Sequence, residues 1–334
     1  MHTPFSPTTR RRFLQGTLLA AVAYSAGGRA QGGSAYPSQP VRLIVPFSPG
    51  GAVDIYSRIV SPELSKLLGQ TVIVENRPGA SGNIGAELVK RAPADGHTLL
   101  VGNIAILGIN PVVYKHNPID PLADLTPITK TVNVNYVLVL NPQVPARSAA
   151  ELIAYAKANP GKLTYGSSGT GSMQQMAAEL FQSRTGTKLL HVPYKGTGAL
   201  VGDLVAGHVD MIFADQGSMM QQVNAGKLVV LGVCGLTRRP EYPDIPTIAE
   251  AAGLPGFEAV AWQGLAGPAG LPAPIVDKLN QAINQIQADP AIKARLAEAG
   301  LTTDAGTPQA FRQYIGDELA KWRKVATDIG ISVE

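Results

Sequence analysis

The sequence predicts an α/β fold that is divided into two domains. Short apolar runs rich in Val, Ile and Leu alternate with segments of helical periodicity, a pattern typical of parallel sheets covered by helices. Glycine and proline separate these segments, as they do where a chain turns. The 334 residues also exceed the size at which one hydrophobic core usually stops growing, so we expect two cores.

The predicted strands are continuous apolar runs, because a strand inside a parallel sheet is buried on both faces. They cover residues 41–45, 71–75, 98–102, 189–193, 209–214 and 227–233. The predicted helices place apolar residues three and four positions apart. They cover residues 53–68, 84–91, 149–158, 173–185, 199–206, 219–225, 274–288, 291–299 and 308–329. Four of them end at a glycine able to adopt the left-handed conformation, namely Gly69, Gly186, Gly207 and Gly226.

Two stretches, 132–140 and 257–267, are predicted to lead the chain from one domain to the other. Crossing at both places makes one lobe discontinuous. The first lobe then holds residues 36–137 and 260–334, and the second holds residues 138–259. A ligand of such a protein binds between the lobes, where strand ends and helix N-termini converge.

Residues 1–30 form a predicted twin-arginine signal peptide. The basic stretch Arg10-Arg11-Arg12 is followed by an apolar run over residues 17–24 and by small residues up to Ala30. The apolar run is shorter than the roughly 20 residues that span a bilayer. The alternative is a basic N-terminal arm on a cytoplasmic protein. The order of the three blocks favours export to the periplasm with cleavage near Ala30.

Removal of the predicted signal peptide on export would change the net charge of the chain. The chain has 28 Lys and Arg against 24 Asp and Glu, but Arg10, Arg11, Arg12 and Arg29 all lie in the signal, which contains no acidic residue. The mature chain is therefore formally neutral. This removes the basis for a nucleic-acid partner, and no basic stripe with interleaved aromatic residues remains.

Residues suited to catalysis or metal binding are few and scattered. Cys234 is the single cysteine and ends a predicted buried strand, which favours a structural thiol over a nucleophile. The spacing of the histidines matches no metal site, and no cofactor motif is present. A hydrolase or isomerase that pairs Asp54 or Asp215 with His191 or His208 is the alternative to a binding protein.

The first candidate binding loop follows the first strand and contains Phe47, Ser48, Gly50, Gly51 and Asp54. It turns through two glycines into a helix, so its backbone N–H groups and the helix dipole can hold a carboxylate. Alternatively, the glycines only form a turn and Asp54 only stabilises the first turn of the helix.

The second candidate loop runs from the strand residue Tyr165 into a helix. Its spacing from Gly166 to Gly171 resembles a P-loop, but Ser172 stands where the phosphate-binding lysine is required. It also lacks the Gly-x-Ser-x-Gly arrangement of a serine hydrolase. Its amides and hydroxyls can still hold a carboxylate. The candidate residues are Ser167, Ser168, Gly169, Thr170, Gly171 and Ser172.

Two further loops join a strand to a helix. One contains Tyr194, Lys195, Gly196, Thr197 and Gly198; its amides and Thr197 are better candidates for direct contact than Lys195, which fits a solvated rim. The other contains Ser81 and Asn83, either of which can cap the helix that follows.

At these residues the sequence resembles the Bug family of extracytoplasmic solute receptors, the binding components of tripartite tricarboxylate transporters. The resemblance spans nearly the whole mature chain. It rests on Pro46-Phe47-Ser48-Pro49-Gly50-Gly51 with Asp54 and Arg58, Glu75-Asn76-Arg77-Pro78-Gly79-Ala80-Ser81-Gly82-Asn83, Ala94-Asp95-Gly96-His97-Thr98-Leu99, Tyr165-Gly166-Ser167-Ser168-Gly169 and Val192-Pro193-Tyr194-Lys195-Gly196.

The resemblance implies a Venus-flytrap fold of the periplasmic binding protein type II kind, in which two lobes close on a small carboxylate. It implies that residues 48–54 hold one end of the ligand, that residues 167–172 and 196–198 hold a carboxylate, and that Asp215 borders the pocket. Phe47 and Tyr194 are the aromatic residues expected near it. The implied partners are the membrane components of the transporter, and we expect a monomer. A sensory protein that presents its ligand to a receptor kinase is a further alternative.

One residue departs from the family pattern. Many relatives have a histidine before the segment Met176-Ala177-Ala178-Glu179-Leu180-Phe181, and Gln175 stands there in this chain. A feature of the second loop that depends on this histidine in the relatives is therefore not expected in this chain.

Overall fold

The computed structural model describes residues 36–169, 171–194 and 197–332. The predicted signal peptide, residues 1–30, lies outside them, as do Thr170, Lys195 and Gly196. Residues Gln39–Glu334 form one compact unit, to which the following description applies. No helix among the described residues is long and apolar enough to cross a membrane.

Eleven strands of the described residues form two separate sheets. The strands are β1 (Val41–Val45), β2 (Val72–Asn76), β3 (Thr98–Asn103), β4 (Leu125–Val134), β5 (Tyr136–Leu140), β6 (Thr164–Ser167), β7 (Leu190–Pro193), β8 (Met211–Asp215), β9 (Val229–Val233), β10 (Ala261–Pro268) and β11 (Leu301–Thr303). The first sheet has the order β11-β4-β10-β3-β1-β2, and the second has the order β7-β6-β8-β5-β9.

Both sheets are mixed, whereas the sequence predicted parallel ones. In the first sheet β1 is parallel to β2 and β3, but β10 runs antiparallel to β3 and β4. In the second, β6 is parallel to β7 and β8, but β5 runs antiparallel to β8 and β9. A continuous apolar run indicates that both faces of a strand are buried, but it carries no information about strand direction.

The helices follow the predicted periodicity closely. They are α1 (Ala52–Leu68), α2 (Asn83–Lys90), α3 (Asn110–Val113), α4 (Ala149–Ala158), α5 (Met173–Thr185), α6 (Thr197–Ala206), α7 (Gln216–Asn224), α8 (Ile248–Ala252), α9 (Ala273–Ala288), α10 (Pro290–Glu298) and α11 (Pro308–Ile329). A π-helical turn, Ala105–Ile109, precedes α3. Gly69 and Gly186 end α1 and α5 in the left-handed conformation, which satisfies carbonyl groups of the last turn.

The chain passes between the sheets twice. The first passage is at Asn135, because β4 ends at Val134 in one sheet and β5 begins at Tyr136 in the other. The second leads from β9 to β10. The two passages lie side by side, since Cys234 donates its backbone N–H to Tyr136 and accepts the N–H of Ala259. These two adjacent segments connect the two sheets and determine how the residues at the facing ends of the sheets are placed.

Candidate ligand-binding site

A cavity of about 600 Å³ lies where residues of both sheets converge. This volume is in the range typical of small-molecule sites. Its described lining is Phe47, Gly50, Gly51, Ala52, Val53, Ile55, Asn103, Val134, Tyr136, Asp215, Gly217, Ser218, Ala261, Trp262, Gln263, Glu298 and Ala299. The parallel strands β1, β3 and β8 all direct their carboxyl ends to it, which is where α/β proteins bind ligands.

The start of α1 forms one part of the cavity wall. Gly51 occupies the N-cap position with an extended backbone and provides no side-chain cap, and the first bond of the helix runs from the Ile55 N–H to the Gly51 carbonyl. The N–H groups of the first turn are thus left without a partner from the cap residue. Together with the positive end of the helix dipole, they make this part of the wall attractive to an anion.

Asp54 holds the loop in shape instead of lining the cavity. Its buried carboxylate accepts hydrogen bonds from the Gly50 N–H at 3.0 Å, from Arg58 Nε at 2.9 and 3.0 Å, and from Asn76 Nδ2 at 3.0 Å. Burial by itself raises the pKa of Asp54, but the bonds from Arg58, Gly50 and Asn76 outweigh it and lower the pKa to about 2. Asp54 is therefore ionised and fully engaged by the protein.

Asp215 lies in the cavity wall on the second sheet. It is the last residue of β8 and the N-cap of α7, where it accepts from the Ser218 N–H at 2.9 Å and from Ser218 Oγ at 2.8 Å. These bonds explain its position as a helix cap. Gly217 and Ser218 of α7 also line the cavity, so the start of a second helix lies at the wall.

Gln263 is a wall residue that the sequence reasoning missed. It lies on β10, opposite Asn103 of β3 and Val132 of β4, and only 1% of it is exposed. Neither Oε1 nor Nε2 of its amide has a hydrogen-bond partner. A signal was present, because this glutamine interrupts an otherwise apolar, fully buried strand.

Two described amides of the second predicted loop bond to glutamine side chains at the start of α5. The Ser168 N–H donates to Gln174 Oε1, and the Gly171 N–H donates to Gln175 Oε1 at 2.8 Å. Ser172 caps α5. Gln175, the residue that departs from the family pattern, therefore fills the bend of this loop with its own side chain. An anion would need to displace these glutamine oxygens to bind the same N–H groups.

Ser167 and His191 form a close pair. Ser167 Oγ lies 2.6 Å from His191 Nε2, and it also contacts both the N–H and the carbonyl of Gly169 at 3.1 Å. The imidazole stacks on Tyr165 with ring centroids 4.8 Å apart, and burial lowers the pKa of His191. Ser167 is completely buried. The pair thus holds β6 and β7 together and offers no exposed hydroxyl to a substrate.

The remaining predicted residues lie outside the described lining of the cavity. Tyr194 donates to Asp203 at 2.7 Å, and Ser81 Oγ bonds to the Tyr114 hydroxyl at 2.8 Å. Asn83 lies at the start of α2 and accepts from Asn110 Nδ2 at 3.0 Å, so it ties that helix to α3. Of Thr197 and Gly198, only the backbone is described, as the first residues of α6.

Comparison with known proteins identifies the family of this chain. The sequence model of the family described as "Tripartite tricarboxylate transporter family receptor" matches residues 56–331 of this chain. Protein BugT of Bordetella pertussis (strain Tohama I) is 35% identical, over 90% of this chain and 92% of BugT. The chain belongs to the receptors of this transporter family.

Solved structures of other receptors share its fold. The Rhodopseudomonas palustris protein Rpa4515 with adipate has a TM-score of 0.81 at 36% identity, over 89% of this chain and 99% of that one. The periplasmic binding protein BugD has a TM-score of 0.77 at 32% identity, over 90% of this chain and 100% of BugD. The receptor thus has the two-lobed α/β architecture of periplasmic binding proteins, the Venus-flytrap of type II.

The wall of this receptor's cavity combines predicted residues with others. The predicted residues at the wall are Phe47, Gly50, Gly51 and Asp215. Those that the structure places in bonds elsewhere are Asp54, Ser81, Asn83, Ser167 and Tyr194. Ser48 is exposed in the first loop. The wall residues with polar or aromatic side chains that the sequence does not predict are Asn103, Tyr136, Ser218, Trp262, Gln263 and Glu298.

Proposed function

We propose that this receptor is exported to the periplasm and captures a small carboxylate between its two lobes. The observation that carries the proposal is the start of α1, whose first residues line the cavity and whose first turn has no side-chain cap. Such a helix start favours an anion without an arginine or lysine. The formally neutral mature chain agrees with this local mode of attraction.

The proposed lobes are residues 36–137 with 260–334, and residues 138–259. The division of the strands between the two sheets supports this division of the chain, and the passage at Asn135 lies two residues before the proposed boundary at residue 137. The cavity then lies at the junction of the lobes, and the paired passages at Tyr136, Cys234 and Ala259 act as the hinge.

The proposed partners are the membrane components of a tripartite tricarboxylate transporter, which receive the ligand from the closed receptor. The family supports this role, and the structure of Rpa4515 with adipate supports a carboxylate as the ligand class. The basic, apolar and small-residue order of the first thirty residues supports export.

Binding without turnover is favoured over hydrolysis. A serine hydrolase requires a hydroxyl that reaches the substrate, and Ser167 is buried with its Oγ engaged by His191 and Gly169. We therefore propose no catalytic role for the Ser167–His191 pair.

A panel of carboxylates tests the proposal. Thermal unfolding of the mature chain is measured with mono-, di- and tricarboxylates and with amino acids, each at millimolar concentration. A ligand that binds only the folded state raises the melting temperature. We expect a stabilising carboxylate that is recovered unchanged, as checked by NMR after incubation. Lack of stabilisation by any member, or conversion of the bound compound, overturns the proposal.

A further inference from the structure

Gln263 has an amide that the protein leaves unsatisfied at the cavity wall. The side chain is 99% buried, yet its Oε1 accepts no hydrogen bond and its Nε2 donates none. Most buried side-chain polar atoms have a partner, and leaving one unpaired destabilises the fold. Gln263 has two such atoms at the edge where β3 ends and β10 begins.

Three neighbouring side chains already have hydrogen-bond partners of their own. The indole N–H of Trp262, the preceding residue, donates to Glu318 at 2.9 Å. Asn103, the register partner of Gln263, accepts from the Ile106 N–H at 3.4 Å. Asp215 accepts two bonds from Ser218. No described group of the protein bonds to the Gln263 amide, so the content of the cavity can supply its partner.

We propose that Gln263 is a ligand contact that determines specificity, and that the bound solute carries a hydroxyl group in addition to its carboxylate. The carboxylate lies at the start of α1, and the hydroxyl meets Gln263. This inference rests on the proposed function and names the class of solute, the hydroxy acids.

The chemistry of the amide selects the hydroxyl. Oε1 requires a donor and Nε2 requires an acceptor. A carboxylate oxygen can accept from Nε2 but has no hydrogen to donate to Oε1. A methylene group satisfies neither atom. A hydroxyl can do both, so it removes both unpaired groups when the solute binds.

Gln287 provides a matched control. It is also a buried glutamine whose Oε1 has no partner, but its Nε2 donates to the Tyr56 hydroxyl at 3.1 Å and it lies outside the described lining of the cavity. A substitution there perturbs a buried amide without changing the surface that meets the solute.

The experiment compares solutes that differ by one hydroxyl group. Calorimetric titrations use propionate against lactate, succinate against malate, and glutarate against 2-hydroxyglutarate, with the wild-type chain, Gln263→Met and Gln287→Met. Two added hydrogen bonds correspond to a preference of about tenfold or more for the hydroxylated member of a pair. We expect that preference in the wild type and in Gln287→Met, and its loss in Gln263→Met.

A second readout separates recognition from folding. Methionine removes the unsatisfied amide, so ligand-free Gln263→Met should unfold at the same or a higher temperature than the wild type. Gln263→Leu repeats the test if the methionine variant does not fold. Equal affinity for both members of every pair, or a preference that survives in Gln263→Met, overturns the inference while the proposed function stands. If none of these solutes binds and the wider panel of tricarboxylates and amino acids gives no stabilisation either, the proposed function itself is wrong and the inference falls with it.

Discussion

Gly51 and Asp54 are three residues apart in the first loop and have opposite effects on the number of N–H donors that a ligand can use. Gly51 caps α1 with no side chain and leaves donors available at the cavity. Asp54 accepts hydrogen bonds from Gly50, Arg58 and Asn76, so these donors are not available to a ligand. The loop can therefore be rigid and still offer N–H groups to a ligand, since different residues serve the two needs.

Asp54→Asn should lower the stability of the folded chain at neutral pH. The folded pKa of about 2 lies below the ordinary value of 3.8, which corresponds to roughly 2 kcal/mol of stabilisation by the ionised form. Because the folded pKa is the lower one, this contribution is present above about pH 4 and is lost as the pH falls towards 2. Urea unfolding of both proteins between pH 2 and pH 7 measures it.

The control is Asp244→Asn, which removes an exposed carboxylate elsewhere in the chain. It should leave the free energy of unfolding within about 0.5 kcal/mol of the wild type. A difference between wild type and Asp54→Asn that stays constant down to pH 2 would show that Asp54 does not stabilise the fold through its charge.

Gly51→Asp should abolish carboxylate binding and leave the fold intact. The Gly51 backbone has φ −83° and ψ 168°, and a Cβ there meets only the Ser48 carbonyl at 3.9 Å, so a side chain fits. Aspartate is a favoured N-cap residue and would occupy the first-turn amides itself, adding up to about 1 kcal/mol of stability. The thermal shift caused by the wild-type ligand measures the loss of binding. Gly51→Ala, which supplies no cap, should retain that shift.

The sequence predicted the first loop as a carboxylate site, but it could not distinguish the roles of the loop residues. Asp54 is predicted to contact the ligand, but it bonds to Arg58 one turn along α1 and to Asn76, and the bond to Asn76 depends on the approach of β2 to α1 in the folded chain. Gln263 could not be placed at the cavity either, since its neighbours on β3 and β4 lie more than a hundred residues away in the sequence.

At the scale of secondary structure, α11 fixes the strand that carries Gln263. Glu318 of α11 is buried and accepts the indole N–H of Trp262 on β10 and of Trp322 on α11, both at 2.9 Å. Gly264 follows on β10 against the ring of Phe311, where a Cβ would approach ring atoms to 2.0 Å. The cavity wall is thus held from behind by a helix near the C-terminus.

Glu318→Ala should destabilise the chain by about 2–4 kcal/mol, because it leaves two buried indole N–H groups without an acceptor. Glu318→Gln keeps an acceptor oxygen and should cost less. Chemical unfolding followed by circular dichroism measures both values. If the two variants were equally stable, the indole hydrogen bonds would not be what joins α11 to β10.

The boundaries of most helices and of β1 were predictable, but β10 lies largely within 257–267, a stretch predicted as a passage between domains, and the pairing of the strands was not predictable. The periodicity of α11 and the apolar run of β1 each depend on local sequence, and the structure confirms both to within a residue. The stretch around Val132 was predicted as a passage between domains, whereas residues up to Val134 belong to the long strand β4. Its partner β10 is distant in the chain, so local sequence contains no trace of their antiparallel register.

At the scale of the whole molecule, both tryptophans of the chain are bonded to one carboxylate, and only Trp262 lines the cavity. Intrinsic fluorescence should therefore report binding. In Trp322→Phe, a carboxylate ligand should still change the emission of Trp262 in a saturable way. The same titration of Trp262→Phe should give little change, since the emission of Trp322 comes from outside the cavity lining. If the ligand changed the emission of Trp322 and left that of Trp262 unchanged, the ligand would bind outside this cavity.

Lobe closure is the central claim at this scale. The cavity is built from the ends of both sheets, and the chain passes between them only at adjacent segments near Tyr136 and Cys234 within the described residues. A ligand held by residues of both lobes gains most from the conformation in which they are closest, and binding shifts the population towards it.

Small-angle X-ray scattering of the mature chain with and without its best carboxylate tests whether the two lobes close on the ligand. The expected result is a smaller radius of gyration for the wild type at saturating ligand and no change for Gly51→Asp at the same concentration. An unchanged radius of gyration in a wild-type sample that calorimetry shows to be saturated would contradict capture by closure of the two lobes.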